Sequence, residues 1–428
     1  MSAPLRLGLA GLGTVGIGVV KIIQSQAEMI ALRAGRPVAI SAVSARDRSR
    51  NRDADLSAYA WEADPVALAK RDDVDVFVEV MGGHDGPARA ATEAAIAAGK
   101  DVVTANKALL AHHGQALALA AEAKGGVIRF EAAVAGGIPV IKALTEGLAG
   151  NRIRRVMGVM NGTCNYILTR MQSAGLPYET VFEEARQLGY LEADPNLDVE
   201  GIDAGHKLSL LSAIAFSTQV SFGAVELEGI GNVSIDDIRL AEDMGYRIKL
   251  LGVAQMTGRG LEQRMTPCLV PADSPLGQLQ GGTNMVVLEG DSVGQIVLRG
   301  PGAGQGPTAS AVMADVIDIA RGLRLPTFGI PAAALSMPTA ASSATPAPYY
   351  LRMTLLDKPG ALAKIATCLG DAGVSIDQMR QYGHQGGNAP VLIVTHKAAP
   401  DDVAHAMTRF AGTGVLVGAP VAIRIEEV

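Results

Sequence analysis

Short, nearly continuous apolar runs alternate with stretches of helical period through the N-terminal part of the chain. Residues 5–10 (LRLGLA), 38–43, 74–81 (VDVFVEVM) and 101–104 have the length and β-branched content of buried strands, and residues 87–98 have the period of a helix. Residues 127–131 add a further strand. The alternation predicts an α/β architecture with a doubly wound sheet. Further on the pattern changes. Residues 247–256 and 261–270 read as a hairpin around Thr257-Gly258-Arg259-Gly260, and residues 285–288 and 294–298 as another strand pair. An α+β, mostly antiparallel region is expected there, offering a floor for a site and a surface for self-association. A stretch rich in Pro, Ala, Ser and Thr (PTAASSATPAP) has a linker composition. After it, strands at 349–355, 374–376, 390–395 and 421–425 alternate with helices at 361–372 and 403–410 in βαββαβ order.

One segment breaks the apolar pattern. Residues 189–207 (GYLEADPNLDVEGIDAGHK) concentrate Glu192, Asp194, Asp198, Glu200, Asp203, His206 and Lys207, and the chain then turns apolar at Leu208. The run predicts a buried helix whose first turns carry charge, with Asp198 as N-cap. Asp203 and Lys207, four apart, share one face. A lone pair of this kind is usually a surface ion pair; leading straight into a hydrophobic helix, it belongs at the lip of a cleft. Two acids and an amine there suit a small zwitterionic substrate with a proton to move. His206 points about 100° away on the helix and receives no role.

Charge and cysteine content narrow the classes. With 37 basic and 43 acidic residues the net charge is −6, and no basic stripe favours nucleic acid. Hydrophobic residues make up 48%, enough for two or three globular domains. Cys164, Cys268 and Cys368 are scattered, matching neither a metal site nor a disulfide framework, so a reducing cytoplasm is expected. The N-terminus has no signal-peptide pattern, and no run of about 18 uninterrupted apolar residues predicts a membrane span.

The strand at 5–10 runs into GLGTVG and then an apolar helix, the order required of a Rossmann-type dinucleotide turn. Gly11 allows the tight turn, Gly13 the approach of a pyrophosphate and Gly16 helix–strand packing, with Thr14 and Val15 between them as further cofactor contacts. The second strand ends at Ser44 without the acidic residue that binds a ribose 2′-hydroxyl. Arg46 and Arg48 instead suit a 2′-phosphate, favouring NADP over NAD, although both also read as solvated loop charges. Thr104 ends a strand whose carboxyl end faces the same crevice, so Lys107, just after it, is expected to point at the cofactor. Asn106 caps the following helix, while His112 and His113 read as surface residues.

Residues 131–141 (EAAVAGGIPVI) form a glycine-bent crossover, by default a plain domain-crossing loop, otherwise a source of carbonyls for a hard cation. Cys164 invites a thioester reading, but a small buried thiol at a helix N-terminus is favoured. The loop at 300–308 has the composition of a second phosphate-binding loop or of a hinge.

In this order GLGTVG, TANK, EAAVAGGIP, NGTCNYIL and GYLEADPNLDVEGIDAGHKL resemble homoserine dehydrogenases, over the chain up to about residue 330. The resemblance implies reversible NAD(P)-dependent reduction of L-aspartate 4-semialdehyde to L-homoserine, a step towards threonine and methionine. It implies Lys207 as general acid/base, Lys107 between cofactor and substrate, Glu192 on the substrate ammonium, Asp203 beside it and Asp198 in support. It further implies a sodium-like monovalent cation held by Glu131 and the carbonyls of Val134, Gly136 and Ile138, and Gly304 near the cofactor. Where the family often has Thr, this chain has Cys164.

The expected domains are 1–133 for the dinucleotide (completed by about 308–330), 134–307 for substrate and dimerisation, a linker at 331–348, and 349–428. The last unit, through LLDKPGALAKI, resembles an ACT domain. That implies an amino-acid effector, threonine by pathway logic, near Asp357, Gly360, Ala361 and Asp377; a dimerisation module without ligand is the bland alternative. A homodimer or homotetramer is expected. The rival functions are a Cys164-dependent aldehyde dehydrogenase and a non-catalytic amino-acid sensor.

Overall fold

The structure, a computed structural model, describes residues 3–191, 194–383 and 386–427. The N-terminal strands β1 (Leu5–Ala10), β2 (Val38–Ser44), β3 (Ala60–Glu62), β4 (Val76–Glu79), β5 (Asp101–Thr104) and β6 (Ile128–Arg129) form a parallel sheet in the order β3-β2-β1-β4-β5-β6. Around it lie α1 (Thr14–Ala34), α2 (Pro65–Lys70), α3 (Pro87–Ala97) and α4 (Lys107–Ala123). The order reverses between β1 and β4, so their carboxyl ends open the crevice in which such sheets bind ligands. Leu7, Leu9, Val76, Phe77 and Val78 are fully buried, as their unbroken apolar runs require. Helix α1 is long and apolar enough in composition to cross a membrane, a property the absence of an uninterrupted apolar run had argued against. Here it packs against the sheet and against the later helix α11 (Gln305–Ala320), as a core helix does.

After β6 the chain makes a 3₁₀ turn at Glu131–Ala133, bends through Ala135 and Gly136, both at positive φ, and enters the one-turn helix α5 (Val140–Lys142). Then follow β7 (Ile153–Val159), α6 (Gly162–Ala174), α7 (Tyr178–Gln187), α8 (Asn196–Val199), α9 (Ile202–Phe216), β8 (Glu226–Leu227) and α10 (Ile235–Asp243). Strands β9 (Tyr246–Thr257), β10 (Gly260–Pro271), β11 (Thr283–Gly290) and β12 (Gly294–Pro301) pair antiparallel, β9 with β10 and β11 with β12, as the hairpin signals predict. Helix α9 packs on β7, β9 and β10, so the charged first turn of a buried helix stands over this sheet.

The C-terminal unit has β13 (Tyr349–Leu356), α12 (Ala361–Asp371), β14 (Ile376–Gln381), β15 (Asn388–Thr395), α13 (Pro400–Ala411) and β16 (Leu416–Ile425) in the βαββαβ order read from the sequence. Its sheet is not separate. Strand β16 pairs parallel with β10 at Cys268↔Arg424 and Leu269↔Ile425, giving one ten-stranded sheet among the described residues. Buried Glu426 joins Arg155, Arg264 and Arg424 across this seam. The segment of linker composition is docked: Leu261 donates to the Thr339 carbonyl at 2.8 Å, and Ala341 returns a bond to Leu261 at 2.9 Å. Small side chains that leave a linker free also let its backbone lie flat against the start of β10, which β16 leaves uncovered because it pairs only at Cys268 and Leu269.

Candidate active site

A cavity of about 650 Å³ lies between the parallel sheet and the antiparallel one, bounded by the glycine turn, the start of α4, the 189–191 segment, the first turns of α9 and the 301–304 loop. The glycines divide the labour as their spacing predicts. A Cβ on Gly11 (φ +105°) would stand 2.6 Å from the Val80 carbonyl oxygen, and one on Gly16 would stand 1.9 Å from the Gly11 oxygen. A Cβ on Gly13 would meet nothing within 4 Å, so this peptide is the one open to a phosphate group. Thr14 and Val15 line the cavity. The residues present therefore fit a dinucleotide.

Two lysines from opposite domains converge on one carboxylate. Asp203, in the first turn of α9 and 7% exposed, receives Lys107 Nζ on Oδ1 at 2.8 Å and Lys207 Nζ on Oδ2 at 2.6 Å. Lys107 comes from the first residue of α4, whose Asn106 cap accepts from the Leu109 N–H at 3.0 Å, as the sequence predicts. Lys207 also donates to the Met160 carbonyl at 2.9 Å. Burial alone would raise the Asp203 carboxyl pKa, but the two ammonium groups overcome it and hold the group well below the usual carboxylate range. All three residues line the cavity.

Asp198 also lines the cavity, but it does not cap the long helix. It sits inside α8, and Gly201, in the left-handed region at φ +77°, is the N-cap of α9. The Asp198 carboxylate accepts from Asn161 Nδ2 at 2.8 Å, while Asn161 Oδ1 caps α6 through the Cys164 N–H. Glu192 lies outside the described residues. Cys164 is fully buried and donates to the Asp198 carbonyl at 3.2 Å. Burial first, then the Asp198 charge, push its thiol well above the ordinary range, which opposes the thiolate that a thioester route needs.

Several candidates stand back from the cavity. Thr104 is fully buried and donates to Glu79 Oε2 at 2.6 Å. It supports the turn before Lys107 instead of facing a cofactor. Glu79, unread from the sequence because it ends the apolar VFVE strand, accepts the Met81 and Gly82 N–H groups at 2.7 and 3.2 Å and ties the ends of β4 and β5 together. Burial raises its pKa. Arg46 and Arg48 are exposed beyond β2, and the arginine that reaches the glycine turn is Arg52, donating to the Leu12 carbonyl at 3.2 Å. Arg48 and Arg52 both stack on Trp61, at 5.8 and 5.7 Å from the ring centroid. His112 and His113 lie at the surface as expected, though His112 packs on His206 and Phe222.

Glu131 is buried, with Oε1 and Oε2 accepting the Ile141 and Lys142 N–H groups at 2.9 and 2.8 Å. Burial and the nearby Asp315 raise its pKa to about 7. Val134 and Ile138 are buried in the same bend, where the Ile138 carbonyl accepts the Val140 N–H, and Gly136 lines the cavity. Two lone pairs of the carboxylate stay unused by these bonds, so the group fits a cation whose charge would offset this burial. Gly304, at φ +115°, is the N-cap of α11 and lines the cavity. Asn284, from β11, was not anticipated: it lines the cavity, and its Oδ1 is buried without a hydrogen-bond partner among the described residues. No periodicity or motif marks it. Asp357 and Gly360 lie in an exposed turn before α12, Ala361 is buried behind it, and Asp377 is exposed on the edge strand β14.

Comparison with known proteins bears on this geometry. The homoserine dehydrogenase family profile matches residues 139–317, its NAD-binding domain residues 11–131, and an ACT domain residues 349–412. The homoserine dehydrogenase of Neisseria gonorrhoeae is 45% identical, with 94% of each chain covered, and that of Pseudomonas aeruginosa 42% identical with 99% covered. The crystal structure of a homoserine dehydrogenase from Thiobacillus denitrificans superposes with a TM-score of 0.94 at 40% identity, covering 99% of both chains. A hyperthermophilic archaeal homoserine dehydrogenase in complex with NADPH matches at a TM-score of 0.62 and 26% identity over 76% of this chain and 100% of its own. The chain therefore belongs to the homoserine dehydrogenase family, as an oxidoreductase acting on a CH–OH group with a nicotinamide cofactor.

Proposed function

We propose that the protein interconverts L-aspartate 4-semialdehyde and L-homoserine, serving threonine, methionine and isoleucine biosynthesis in the cytoplasm. The observation that carries this reading is the Asp203 carboxylate joining two lysines of opposite domains at the wall of one cavity. A bound dihydronicotinamide supplies the hydride. Lys207 supplies the proton: Met160 and Asp203 hold two of its N–H groups, and the third serves the substrate oxygen. Lys107 adds a second positive charge where the alkoxide develops. Asp203 keeps both ammonium groups in place. The acidic group at the substrate ammonium is assigned to Glu192 by the sequence motif, with Asp198 beside it, and Asn284 Oδ1 adds a neutral acceptor.

NADP is favoured over NAD, because Arg46, Arg48 and Arg52 cluster past β2, where a 2′-phosphate would lie. Glu131, with the carbonyls of Val134, Gly136 and Ile138, would hold a monovalent cation that secures the crossover. The ACT unit would bind threonine near Asp357, Gly360, Ala361 and Asp377. The seam between β10 and β16 supports regulation, since β10 also packs under α9. Assembly as a homodimer or homotetramer would use the antiparallel sheet, whose edge strand β12 exposes Val297. The test is nicotinamide absorbance with homoserine and NADP⁺ or NAD⁺, with and without threonine. Turnover is expected with NADP⁺ preferred and threonine inhibiting; no turnover with either cofactor would overturn the reading.

A further inference from the structure

A second cavity, of about 260 Å³, opens behind the two lysines. It shares Ala105, Lys107 and Asp203 with the first cavity, and its remaining wall includes His84, Ala108 and His206. His84 is half exposed, so this side faces solvent. His206 is 8% exposed, its ring stands 4.2 Å from that of Phe222 and 5.5 Å from that of His112, and its Nε2 is buried with no hydrogen-bond partner among the described residues. The ring lines the second cavity, and a half-turn about Cβ–Cγ exchanges each nitrogen with a ring carbon, Nε2 with Cε1 and Nδ1 with Cδ2, which changes the edge on which a nitrogen meets the cavity. Burial lowers its pKa to about 4, so the ring is neutral at working pH, and a neutral imidazole both donates and accepts.

The proposed reaction creates a need for such a place. Reduction adds the cofactor's hydride to the carbonyl carbon, and the C=O π pair takes a proton from Lys207. One proton per turnover must then come from bulk water to Lys207, whose side chain is 11% exposed. At that moment substrate and cofactor occupy the first cavity.

We propose that the second cavity is the proton entry of this active site, with water ordered there by His206 delivering protons to Lys107 and, across Asp203, to Lys207. The inference rests on the carbonyl-reduction reading above. Lys107 reaches both cavities and lies 2.8 Å from Asp203 Oδ1. Once Lys207 has given up its proton, one of the two charges holding Asp203 ionised is gone. The carboxylate then takes a proton from Lys107 and, after a half-turn, hands it to Lys207; water in the second cavity reprotonates Lys107. His206 touches neither substrate nor cofactor in this scheme and is a positioning residue.

The test is a single turnover by rapid mixing of the full-length enzyme with reduced cofactor and aldehyde. Nicotinamide oxidation is followed by absorbance, and proton uptake from bulk by a pH-indicator dye. In the native protein uptake should keep step with oxidation. In Ala108→Leu, which narrows the cavity beside Lys107, and in His206→Ala, uptake should lag by about tenfold or more, less than the roughly 10²–10⁴-fold of a group that itself reacts, because both residues act only through water. Added imidazole should restore His206→Ala but not Ala108→Leu, and His206→Gln, which keeps polar atoms at the wall, should stay within about threefold of native. Cofactor affinity, measured in the same variants, should be unchanged, and this separates a blocked route from a damaged fold. Uptake in step with oxidation in both Ala108→Leu and His206→Ala would overturn the proton entry while leaving the enzymatic reading intact. No oxidation in the native protein would overturn both.

Discussion

Two buried clusters of charge lie on either side of the domain crossover, and they differ in what they face. Lys107, Asp203 and Lys207 line a cavity. Arg129, Lys142, Asp315 and Asp318 pack between β6, α5 and α11 and line neither cavity: Arg129 meets Asp318 at 3.0 Å and exposed-side Glu146 at 3.1 Å, and Lys142, still partly exposed, pairs with Asp318. Both clusters join segments distant in sequence, and both hold carboxylates in low-dielectric surroundings. Yet Asp203, with a lysine on each oxygen, is held ionised, while burial raises the pKa of Asp315 in spite of its cationic neighbours. A buried charge network by itself therefore does not mark an active site. Access does: the first cluster can give a proton to something that enters, and the second can only hold α11 against the crossover.

Asp203→Asn should break that contrast most sharply. It removes the one charge both lysines share, so kcat should fall by about 10²-fold or more while the folded state persists, measured by steady-state absorbance together with circular dichroism. Arg129→Met is the mirror experiment. It leaves Asp315 and Asp318 buried with one cation fewer and should cost about 3–5 kcal/mol in urea unfolding, with kcat per folded molecule much less affected.

Beside the second cluster lies Glu131, whose N–H donates to Asp315 at 2.8 Å and whose pKa is raised to about 7 in the folded protein. A raised carboxyl binds more protons folded than unfolded, so its contribution to stability is lost as pH climbs from the ordinary carboxyl range through about 7. If a monovalent cation offsets that charge, potassium or sodium chloride should raise Tm at pH 8 more than at pH 5 when compared with a bulky tetraalkylammonium salt. Glu131→Gln should remove the difference. The paired change Arg46→Ala, Arg48→Ala should weaken NADP by about tenfold, or 1.4 kcal/mol, and leave NAD nearly unchanged, read from the KM values. The smallest effect belongs to Cys164→Ala. Activity should stay within a few-fold of native, because the thiol only packs and donates to Asp198, and a large loss would revive the thioester reading.

The sequence made one of these clusters legible and hid the other. Asp203 and Lys207 stand four apart on one helix, a spacing that local geometry turns into contact, and Lys107 follows a strand end that must face the crevice. Glu79, Asn284 and the Asp318–Arg129 pairing were silent. Each depends on which distant backbone groups arrive beside it, and a single polar residue in an apolar strand or helix carries no period. The Asp198 cap was misplaced because Gly201 ends one short helix and starts the next, which a search for Ser, Thr, Asp or Asn caps passes over. The strand and helix order of the C-terminal unit was plain. Its merger with the central sheet was not, since parallel pairing of β10 with β16 involves only two residues on each side.

Lys207 is the proton donor on which the proposed reaction depends. The most direct measurement is the rate of nicotinamide oxidation in a single turnover of Lys207→Met, which keeps the length and packing of the side chain, at saturating aldehyde and reduced cofactor. The predicted result is a rate lower by about 10²–10⁴-fold with cofactor affinity unchanged. A rate within a few-fold of native would contradict it, and would place the proton transfer on another group in the cavity.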